Sequence, residues 1–268
     1  MVKVCLVQFK VLNNPFKNLS RIELFFKKAL GCDFICFPEC FLTGPESKST
    51  FNEKIPGLAK NLFSKLSKKY KIYSIMGSIH ERKSSKLTNI SYLFNRKGQI
   101  VGSYEKISLV PRTEEIRDIA PGNKYPVFNT EFGKVAIQIC RDLFYPEITK
   151  SLAKKGSKII FSPAFWAYSS KDYLEEMRSK YKFNTEARVV DSLVPSRSME
   201  NNIVFIFVNA AGDYSNTTID CFDKLLGHTQ IALPFYGKVK ALKNRKEGII
   251  IYNANFSVLN DAKKAYRL

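Results

Sequence analysis

The sequence predicts an α/β protein whose sheets are partly antiparallel, and three observations support this fold class. Short apolar segments typical of buried strands alternate with longer segments of helical spacing. Hairpin signals, such as the turn at residues 95–99, interrupt that alternation, so some neighbouring strands pair antiparallel. The chain has 268 residues, of which 45% are hydrophobic, and no Gly-, Ser- or Pro-rich linker divides it. We therefore expect one domain over residues 1–268 with one large core.

Each element is predicted from the spacing of its apolar residues. Strands are short runs that are continuously apolar or alternate, and helices have apolar residues three and four positions apart. The predicted strands cover residues 1–9, 34–37, 72–79, 89–94, 100–104, 135–139, 158–162, 203–208 and 248–252, and a hairpin is predicted over residues 227–237. The predicted helices cover residues 18–30, 58–70, 147–155, 169–194 and 197–202.

Three reactive side chains follow predicted strands directly: Glu39, Lys106 and Cys140. The carboxyl ends of buried strands are where α/β proteins carry functional groups. The strand before Cys140 has few charges and a helical segment begins soon after it, which is the geometry of a nucleophile at a strand-to-helix corner. The structural alternatives are that Cys140 only fills space and that Glu39 only caps the segment after it.

The two histidines, His80 and His228, limit the mechanisms that are open to the chain. A Cys–His or Ser–His–Asp mechanism needs one of them, and the sequence has no Gly-x-Ser-x-Gly turn to pair with either. It also lacks Gly-x-Gly-x-x-Gly and Walker-type loops, so no nucleotide cofactor is predicted. Glu39, Lys106 and Cys140 form a complete mechanism without histidine. A buried glutamate takes the thiol proton, the thiolate attacks a carbonyl or nitrile carbon, and the lysine stabilises the tetrahedral intermediate.

The six cysteines predict reduced thiols rather than a disulfide framework, because no secretory signal precedes them. Cys36 and Cys40 are spaced loosely like metal ligands, but no second pair and no nearby histidine completes a tetrahedral set. We expect neither a metal nor another cofactor.

The formal charge of +19 makes nucleic acid the first macromolecular partner to consider. The lysines are scattered, however, and lack the interleaved aromatic residues of a strand-binding surface, so we expect no specific nucleic acid. No apolar run approaches the roughly 20 residues that cross a bilayer, and the amino terminus has no cleavage site of a signal peptide. These features predict a soluble, cytoplasmic protein that does not bind membranes.

Several separated motifs resemble those of the nitrilase, or carbon–nitrogen hydrolase, superfamily. The resemblance covers nearly the whole chain, with one departure at residue 105, where the family usually has arginine. The motifs are Phe37-Pro38-Glu39 with Thr43-Gly44, Tyr104-Glu105-Lys106, Ile139-Cys140-Arg141-Asp142 with Pro146-Glu147, Arg197-Ser198-Met199-Glu200-Asn201, Asn209 with Gly212, and residues 227–237.

The resemblance implies a four-layer αββα sandwich of two mixed β-sheets flanked by helices, and a homodimer or higher homo-oligomer formed through helices. It implies that Glu39 is the base, Lys106 the stabiliser and Cys140 the nucleophile. It aligns Glu115 with a second glutamate that positions the lysine and the substrate, although Glu114 beside it could take that place.

The remaining site residues are Arg141, Trp166 and Pro163, which are expected to bind substrate. The backbone N–H of Arg141 is expected to help form the oxyanion site, as that position does in the family. Its side chain could bind an acidic substrate, but clustered opposite charges favour pairing with Asp142 or Glu147. Trp166 either lines the pocket or packs. The segment over residues 169–195 is expected to be a lid, an oligomer contact or a surface excursion.

The predicted function is hydrolysis of a non-peptide carbon–nitrogen bond in a small molecule. The substrate is an amide or an N-carbamoyl amide, and the product is ammonia or an amine. A nitrilase and an amine acyltransferase would use the same three residues. Two alternative functions belong to other classes of protein: a nucleic-acid-binding protein with a basic surface, and a scaffold that keeps the fold without catalytic turnover.

Overall fold

The computed structural model describes residues 1–46, 51–111, 114–169, 180–181, 185–217 and 221–267. Strands and helices alternate through most of the chain, as the apolar spacing predicts. The strands are β1 (Val2–Gln8), β2 (Phe34–Cys36), β3 (Tyr73–Ile75), β4 (Ile79–Lys83), β5 (Lys86–Phe94), β6 (Ile100–Glu105), β7 (Val127–Thr130), β8 (Gly133–Ile137), β9 (Ile159–Ala164), β10 (Ala167–Ser169), β11 (Val204–Asn209), β12 (Asp213–Asn216), β13 (Cys221–Leu225), β14 (Gln230–Leu233), β15 (Gly237–Ala241) and β16 (Gly248–Ala254). The helices are α1 (Pro15–Lys28), α2 (Lys54–Tyr70), α3 (Glu114–Asp118), α4 (Pro146–Lys154), α5 (Thr185–Asn201) and α6 (Ser257–Tyr266), with a 3₁₀ helix at Cys140–Phe144.

The strands form two large mixed sheets and a small third one. The first sheet has the order β16-β1-β2-β3-β5-β4, with β6 paired to β5, and the second has the order β15-β14-β11-β9-β8-β7. Each large sheet has a parallel centre, β1-β2-β3 in the first and β8-β9-β11 in the second, and antiparallel edges. Strands β10, β13 and β12 make the small antiparallel sheet.

The two large sheets pack face to face, and helices cover their outer faces. Phe34 of β2 and Phe161 of β9 bridge the sheets with ring centroids 5.4 Å apart. Because side chains alternate across a strand, Ile160 points to the opposite face, where α4 and α5 pack. On the first sheet, Phe26 of α1 and Phe63 of α2 lie 5.7 Å apart in a separate aromatic cluster. The predicted four-layer αββα sandwich is confirmed.

The strand predicted over residues 72–79 is divided in the structure into β3 and β4. Gly77 lies between them with φ of +78°, and a side chain there would collide with the backbone oxygen of Pro38. Ser78 donates its N–H to that same oxygen at 3.3 Å, and its hydroxyl accepts the N–H of Cys40 at 3.1 Å. The break in the strand thus holds the segment that carries Glu39.

The two helical pieces predicted over residues 169–194 and 197–202 also differ from the structure. Helix α5 continues through Pro195, so its second half is not a separate element. Residues 170–179 and 182–184 of the first piece lie outside the described part of the chain. Among the helices that are described, none is long and apolar enough to cross a bilayer.

Candidate active site

Glu39, Lys106 and Cys140 converge where strand ends of the two large sheets meet. Glu39 follows β2, Lys106 follows β6 of the same sheet, and Cys140 follows β8 of the other sheet. Their exposed fractions are 3%, 2% and 6%, so all three are buried. The sequence prediction that these strand ends lie together agrees with the structure.

The Glu39 carboxylate is held by three donors. Its Oε1 accepts Lys106 Nζ at 2.9 Å and Asn89 Nδ2 at 2.9 Å. Its Oε2 accepts the backbone N–H of Phe165 at 2.8 Å, from the loop after β9. Since Oε1 already has two donors, Oε2 is the oxygen with more capacity to take a proton.

Glu115, which the resemblance aligns with a second glutamate, is also bonded to the lysine. Lys106 Nζ donates to Glu115 Oε1 at 2.8 Å and to Oε2 at 3.0 Å, and the Val110 N–H holds Oε2 at 2.8 Å. Asn89 Nδ2 also reaches Glu115 Oε1, at 3.3 Å. The side chain of Glu114, the alternative, lies outside the described residues.

The buried charges stabilise one another. Burial alone would disfavour the Lys106 ammonium, but Glu115 and Glu39 outweigh it and raise the pKa of Lys106 well above its usual value. Burial likewise opposes ionisation of Glu115, yet Lys106 and the surrounding hydrogen bonds lower the pKa of Glu115. Lys106 is therefore a charged lysine at neutral pH, although it has almost no contact with solvent.

Cys140 begins the 3₁₀ helix with φ of +47°, a conformation that few non-glycine residues adopt. Burial, and then the charge of Glu39, raise the pKa of the Cys140 thiol well above its usual value, while Lys106 opposes the shift. A hydrogen bond to the Glu39 carboxylate contributes in the same direction. The resting thiol is therefore protonated and lies beside a carboxylate that can accept its proton.

Asp142 fixes the turn that carries Cys140, a role that sequence reasoning missed. Its Oδ2 accepts the Ile139 N–H at 2.8 Å and the Tyr104 hydroxyl at 2.7 Å, and its Oδ1 accepts the Ser108 N–H at 2.7 Å. Burial raises the pKa of Asp142 to about 6, against these hydrogen bonds. The bonds tie the turn that carries Cys140 to both flanks of Lys106. An aspartate at the third position of a helix is a capping signal that could have indicated part of this.

Asn89 is a second residue that the sequence did not single out. It lies inside β5, and it contacts both Glu39 and Glu115 through one side-chain nitrogen. Its backbone oxygen accepts the N–H of Lys106 at 2.9 Å. Asn89 thus connects all three charged residues, and its place in a strand interior gave no signal for this.

The ion pair expected for Arg141 does not form, and that prediction is wrong. Asp142 and Glu147 are both described, and neither has an oxygen within 4.0 Å of the Arg141 guanidinium. The reason is that both Asp142 oxygens point inward to other donors. Arg141 instead donates to the Tyr145 hydroxyl at 3.4 Å.

Trp166 and Pro163 are both buried beside the site. Trp166 donates its ring N–H to Glu186 at 2.6 Å, and its ring packs on Phe144 at 5.1 Å and Phe207 at 6.1 Å. The predicted strand ends at residue 162, but β9 continues to Ala164, so Pro163 is a buried strand residue. The expectation that these two residues bind substrate stays a prediction.

Asn209 positions the loop that follows β9. Its side-chain oxygen accepts the backbone N–H of Trp166 at 2.7 Å, and its side-chain nitrogen donates to the backbone oxygen of Trp166 at 3.0 Å. That loop presents the Phe165 N–H to Glu39. The asparagine of the Asn-x-x-Gly motif therefore acts on the site through the backbone of its neighbours.

Neither histidine is bonded to Cys140. His80 is the second residue of β4, with Nδ1 3.1 Å from Glu46 and Nε2 4.0 Å from the Cys40 sulfur. His228 lies 3.6 Å from Asp191. Within the described ranges, no three His, Cys, Asp or Glu side chains gather closely enough to hold a metal ion.

Two mixed sheets packed face to face between helices, with this site at their strand ends, define an enzyme of the nitrilase superfamily. Comparison with known proteins agrees. The family model described as carbon–nitrogen hydrolase matches residues 3–264, and the chain belongs to that family.

Several relatives show how far the similarity extends. The omega-amidase NIT2 of Xenopus tropicalis is 27% identical over 98% of this chain and 91% of its own length. The probable hydrolase YhcX of Bacillus subtilis is 32% identical over 72% of this chain, which spans only 39% of that protein. The crystal structure of Nit3 from Saccharomyces cerevisiae superposes with a TM-score of 0.80 at 25% identity, covering 100% of this chain and 94% of Nit3.

Proposed function

We propose that this carbon–nitrogen hydrolase cleaves an amide or an N-carbamoyl amide of a small molecule through a thioester on Cys140. Glu39 is the base and Lys106 stabilises the charge that develops. The observation that carries the proposal is the convergence of three buried side chains, Glu39, Lys106 and Cys140, at neighbouring strand ends, with Lys106 bonded to Glu39 at 2.9 Å. A relative named omega-amidase favours an amide over a nitrile.

The first half of the reaction forms the thioester. Glu39 takes the proton of the Cys140 thiol as the sulfur attacks the carbonyl carbon. The negative charge that forms on the carbonyl oxygen is stabilised by the Lys106 ammonium and by the backbone N–H of Arg141. Glu39 then gives its proton to the departing nitrogen, the C–N bond breaks, and ammonia or an amine leaves.

The second half returns the enzyme to its resting state. Glu39 takes a proton from water, the hydroxide attacks the thioester carbon, and the acid leaves as the C–S bond breaks. The proton on Glu39 returns to the Cys140 sulfur. Glu115 takes part in neither proton transfer; its two bonds to Lys106 keep that ammonium charged and fixed.

The remaining sequence predictions belong to this proposal. We expect residues 1–268 to form a single carbon–nitrogen hydrolase domain, and the protein to act as a homodimer or higher homo-oligomer. We expect it to act in the cytoplasm on small molecules, without specific nucleic acid.

The test is ammonia release from a panel of amides, N-carbamoyl compounds and nitriles. Cys140→Ala should abolish release and keep the fold, and Glu39→Gln should be nearly inactive because the residues act as one unit. Cys32→Ala is the matched control, since that buried thiol belongs to another cluster. A mass increase on intact protein that disappears with hydroxylamine should mark the thioester in the wild type. Full turnover by Cys140→Ala would refute the proposal, and preferential hydroxamate or amide formation would indicate acyl transfer instead.

A further inference from the structure

Glu39 lies directly before a turn in an uncommon backbone conformation. Cys40, the next residue, has φ of +49°, a left-handed conformation that few non-glycine residues adopt. Glu39 donates its own N–H to the Ala164 oxygen over 3.3 Å, which is a long bond. The direction of the Glu39 side chain therefore depends on what holds Pro38 and Cys40 in place.

Ser78 holds the residues on both sides of Glu39. It donates its N–H to the Pro38 oxygen at 3.3 Å, and its hydroxyl oxygen accepts the Cys40 N–H at 3.1 Å. Gly77 allows this approach, because a side chain there would collide with the Pro38 oxygen. Ser78 is fully buried, so loss of its hydroxyl would leave the Cys40 N–H without a partner.

His80 reaches the side chain of the same cysteine. Its Nε2 lies 4.0 Å from the Cys40 sulfur, and its Nδ1 lies 3.1 Å from Glu46 Oε2. All three side chains are buried, so solvent has little access to these contacts. Since His80 follows Ser78 by two residues, the same short segment contacts both the backbone and the side chain of Cys40.

The donors and acceptors give these contacts a direction. The Glu46 carboxylate can only accept, so the proton between it and His80 lies on Nδ1. In a neutral imidazole the other nitrogen, Nε2, is then an acceptor. Burial and the charge of Glu39 raise the pKa of the Cys40 thiol well above its usual value, so the thiol keeps a proton to donate. The chain of contacts therefore runs from Cys40 through His80 to Glu46.

These contacts support Glu39 without touching its reacting atoms. In the described part of the chain, no hydrogen bond of Ser78 or His80 reaches the Glu39 carboxylate. Strand β4 nevertheless pairs with β5 so that His80 lies opposite Asn89, and Asn89 donates to Glu39 Oε1. One pair of strands thus supports both the carboxylate of Glu39 and the turn that follows it.

We propose that Ser78 and His80 are positioning residues for Glu39, because they hold the turn that follows it. Ser78 acts through the Cys40 backbone, and His80, oriented by Glu46, acts through the Cys40 thiol. The turn then keeps the Glu39 carboxylate in the geometry that proton transfer requires. This inference rests on the proposed role of Glu39 as the base. A role in stability alone would leave the turnover of the folded enzyme unchanged.

The first measurement tests the direction of the chain without any substrate. The sequence has two histidines, so untagged protein labelled with ¹⁵N-histidine gives NMR signals from two rings. At pH 7 we expect His80 to carry a proton on Nδ1 and none on Nε2, and His80→Asn identifies its signals. Glu46→Gln should release this tautomer, because an amide can also donate to Nδ1. A proton on His80 Nε2 in the wild type would overturn the proposed role of His80.

The second measurement is steady-state ammonia release from the best amide of the panel, by variants that keep the fold. Ser78→Ala removes the acceptor of the Cys40 N–H, and Cys40→Ala removes the thiol that His80 contacts. Each should lower kcat about 10- to 100-fold with little change in KM, because the base is misplaced while substrate still binds. Cys40→Ser keeps a donor and should retain most of the activity.

The matched controls are Ser67→Ala and Cys32→Ala. Ser67 is a fully buried serine of α2 whose hydroxyl is bonded to that of Ser74 at 2.6 Å. Cys32 is a buried thiol that packs in the aromatic cluster of the first sheet. Both substitutions should leave kcat unchanged, whatever they cost in stability.

Different results would overturn the positioning role and the proposed function. Wild-type kcat in Ser78→Ala, an equal loss in Ser67→Ala, or equal impairment of Cys40→Ser and Cys40→Ala would overturn the positioning role. Full turnover by Glu39→Gln would instead refute the proposed function. The tautomer measurement uses the wild type, so it decides the contact of His80 even where a variant does not fold.

Discussion

Replacing Lys106 with methionine tests whether the buried charges are held as the geometry indicates. The side chain is 2% exposed, and its ammonium donates to Glu39 at 2.9 Å and to Glu115 at 2.8 Å. Methionine has a similar length and no charge. Lys106→Met therefore leaves two carboxylates facing each other without a cation between them.

The expected cost is large because the pair is buried. Removing one partner of a buried ion pair costs about 3–5 kcal/mol, since the remaining charge is left uncompensated. For a chain of this size, that loss corresponds to a decrease in Tm of about 6–20 °C. The matched control is Lys83→Met, because Lys83 pairs with Glu105 at 2.8 Å at the surface, with side chains 58% and 30% exposed. That exposed pair should cost only about 0–1 kcal/mol.

The cost should also depend on pH in a defined direction. In the wild type, Lys106 lowers the pKa of Glu115, so this carboxylate stabilises the fold above its unfolded pKa. Without Lys106, burial dominates and the pKa of Glu115 rises, so its ionised form destabilises the fold as pH increases. The difference between wild type and Lys106→Met should therefore be largest near pH 8. It should be smaller by about 1 kcal/mol or more near pH 5, since one pKa unit is about 1.4 kcal/mol.

The assay is urea unfolding of wild type, Lys106→Met, Lys83→Met and the double variant Lys106→Met/Glu115→Gln at both pH values. The double variant removes one uncompensated carboxylate, so it should recover part of the lost stability while remaining inactive. If Lys106→Met were as stable as Lys83→Met at pH 8, or if the double variant were no more stable than the single one, the charge balance described here would be refuted.

Three other predictions follow from the same contacts. Because burial and Glu39 raise the pKa of Cys140, its thiol should be protonated at pH 7. The difference in absorbance near 240 nm between wild type and Cys140→Ser should then show no thiolate. A full thiolate signal at pH 7 would contradict proton transfer to Glu39. Asp142→Asn places a side-chain amide N–H against a backbone N–H, and it should destabilise the fold by about 1–3 kcal/mol in urea unfolding. An unchanged urea midpoint would contradict this prediction. Asn89→Leu removes the donor shared by two carboxylates, so it should lower kcat/KM about 10- to 100-fold while the fold is retained. Unchanged kinetics would show that the Asn89 hydrogen bonds do not contribute to activity.

Sequence reasoning located the three central residues because each follows a strand, and strand ends are local features. Apolar runs before Glu39, Lys106 and Cys140 mark those ends, and the structure brings them together. The scarcity of histidine removed the usual partners for the thiol. Asn89 was missed because its role depends on the register between β5 and β6, which pairs Ile90 with Glu105 and so brings Asn89 beside Lys106. A register is set by pairing across the sheet and cannot be read from one strand.

Arg141 shows how a local charge pattern can give the wrong partner. Neighbouring opposite charges predicted a pair with Asp142, but Tyr104 and Ser108, more than thirty residues away in the chain, donate to both Asp142 oxygens. Hydrogen bonds from a buried hydroxyl and from the backbone hold a carboxylate better than a half-exposed side chain does. The Arg141 guanidinium has instead a single described hydrogen bond, to the Tyr145 hydroxyl at 3.4 Å.

The proposed chemistry moves charge within the site without increasing it. In the resting site, Glu39 and Glu115 are balanced in part by Lys106, and the Cys140 thiol is neutral. As the thiol attacks, Glu39 becomes neutral and the negative charge passes to the carbonyl oxygen of the substrate. One anion near Lys106 is replaced by another, so the buried ammonium never loses a counter-charge. A buried site can tolerate such an exchange, whereas a resting thiolate would add a third anion beside the two carboxylates. The raised pKa of Cys140 is therefore compatible with its proposed role as nucleophile.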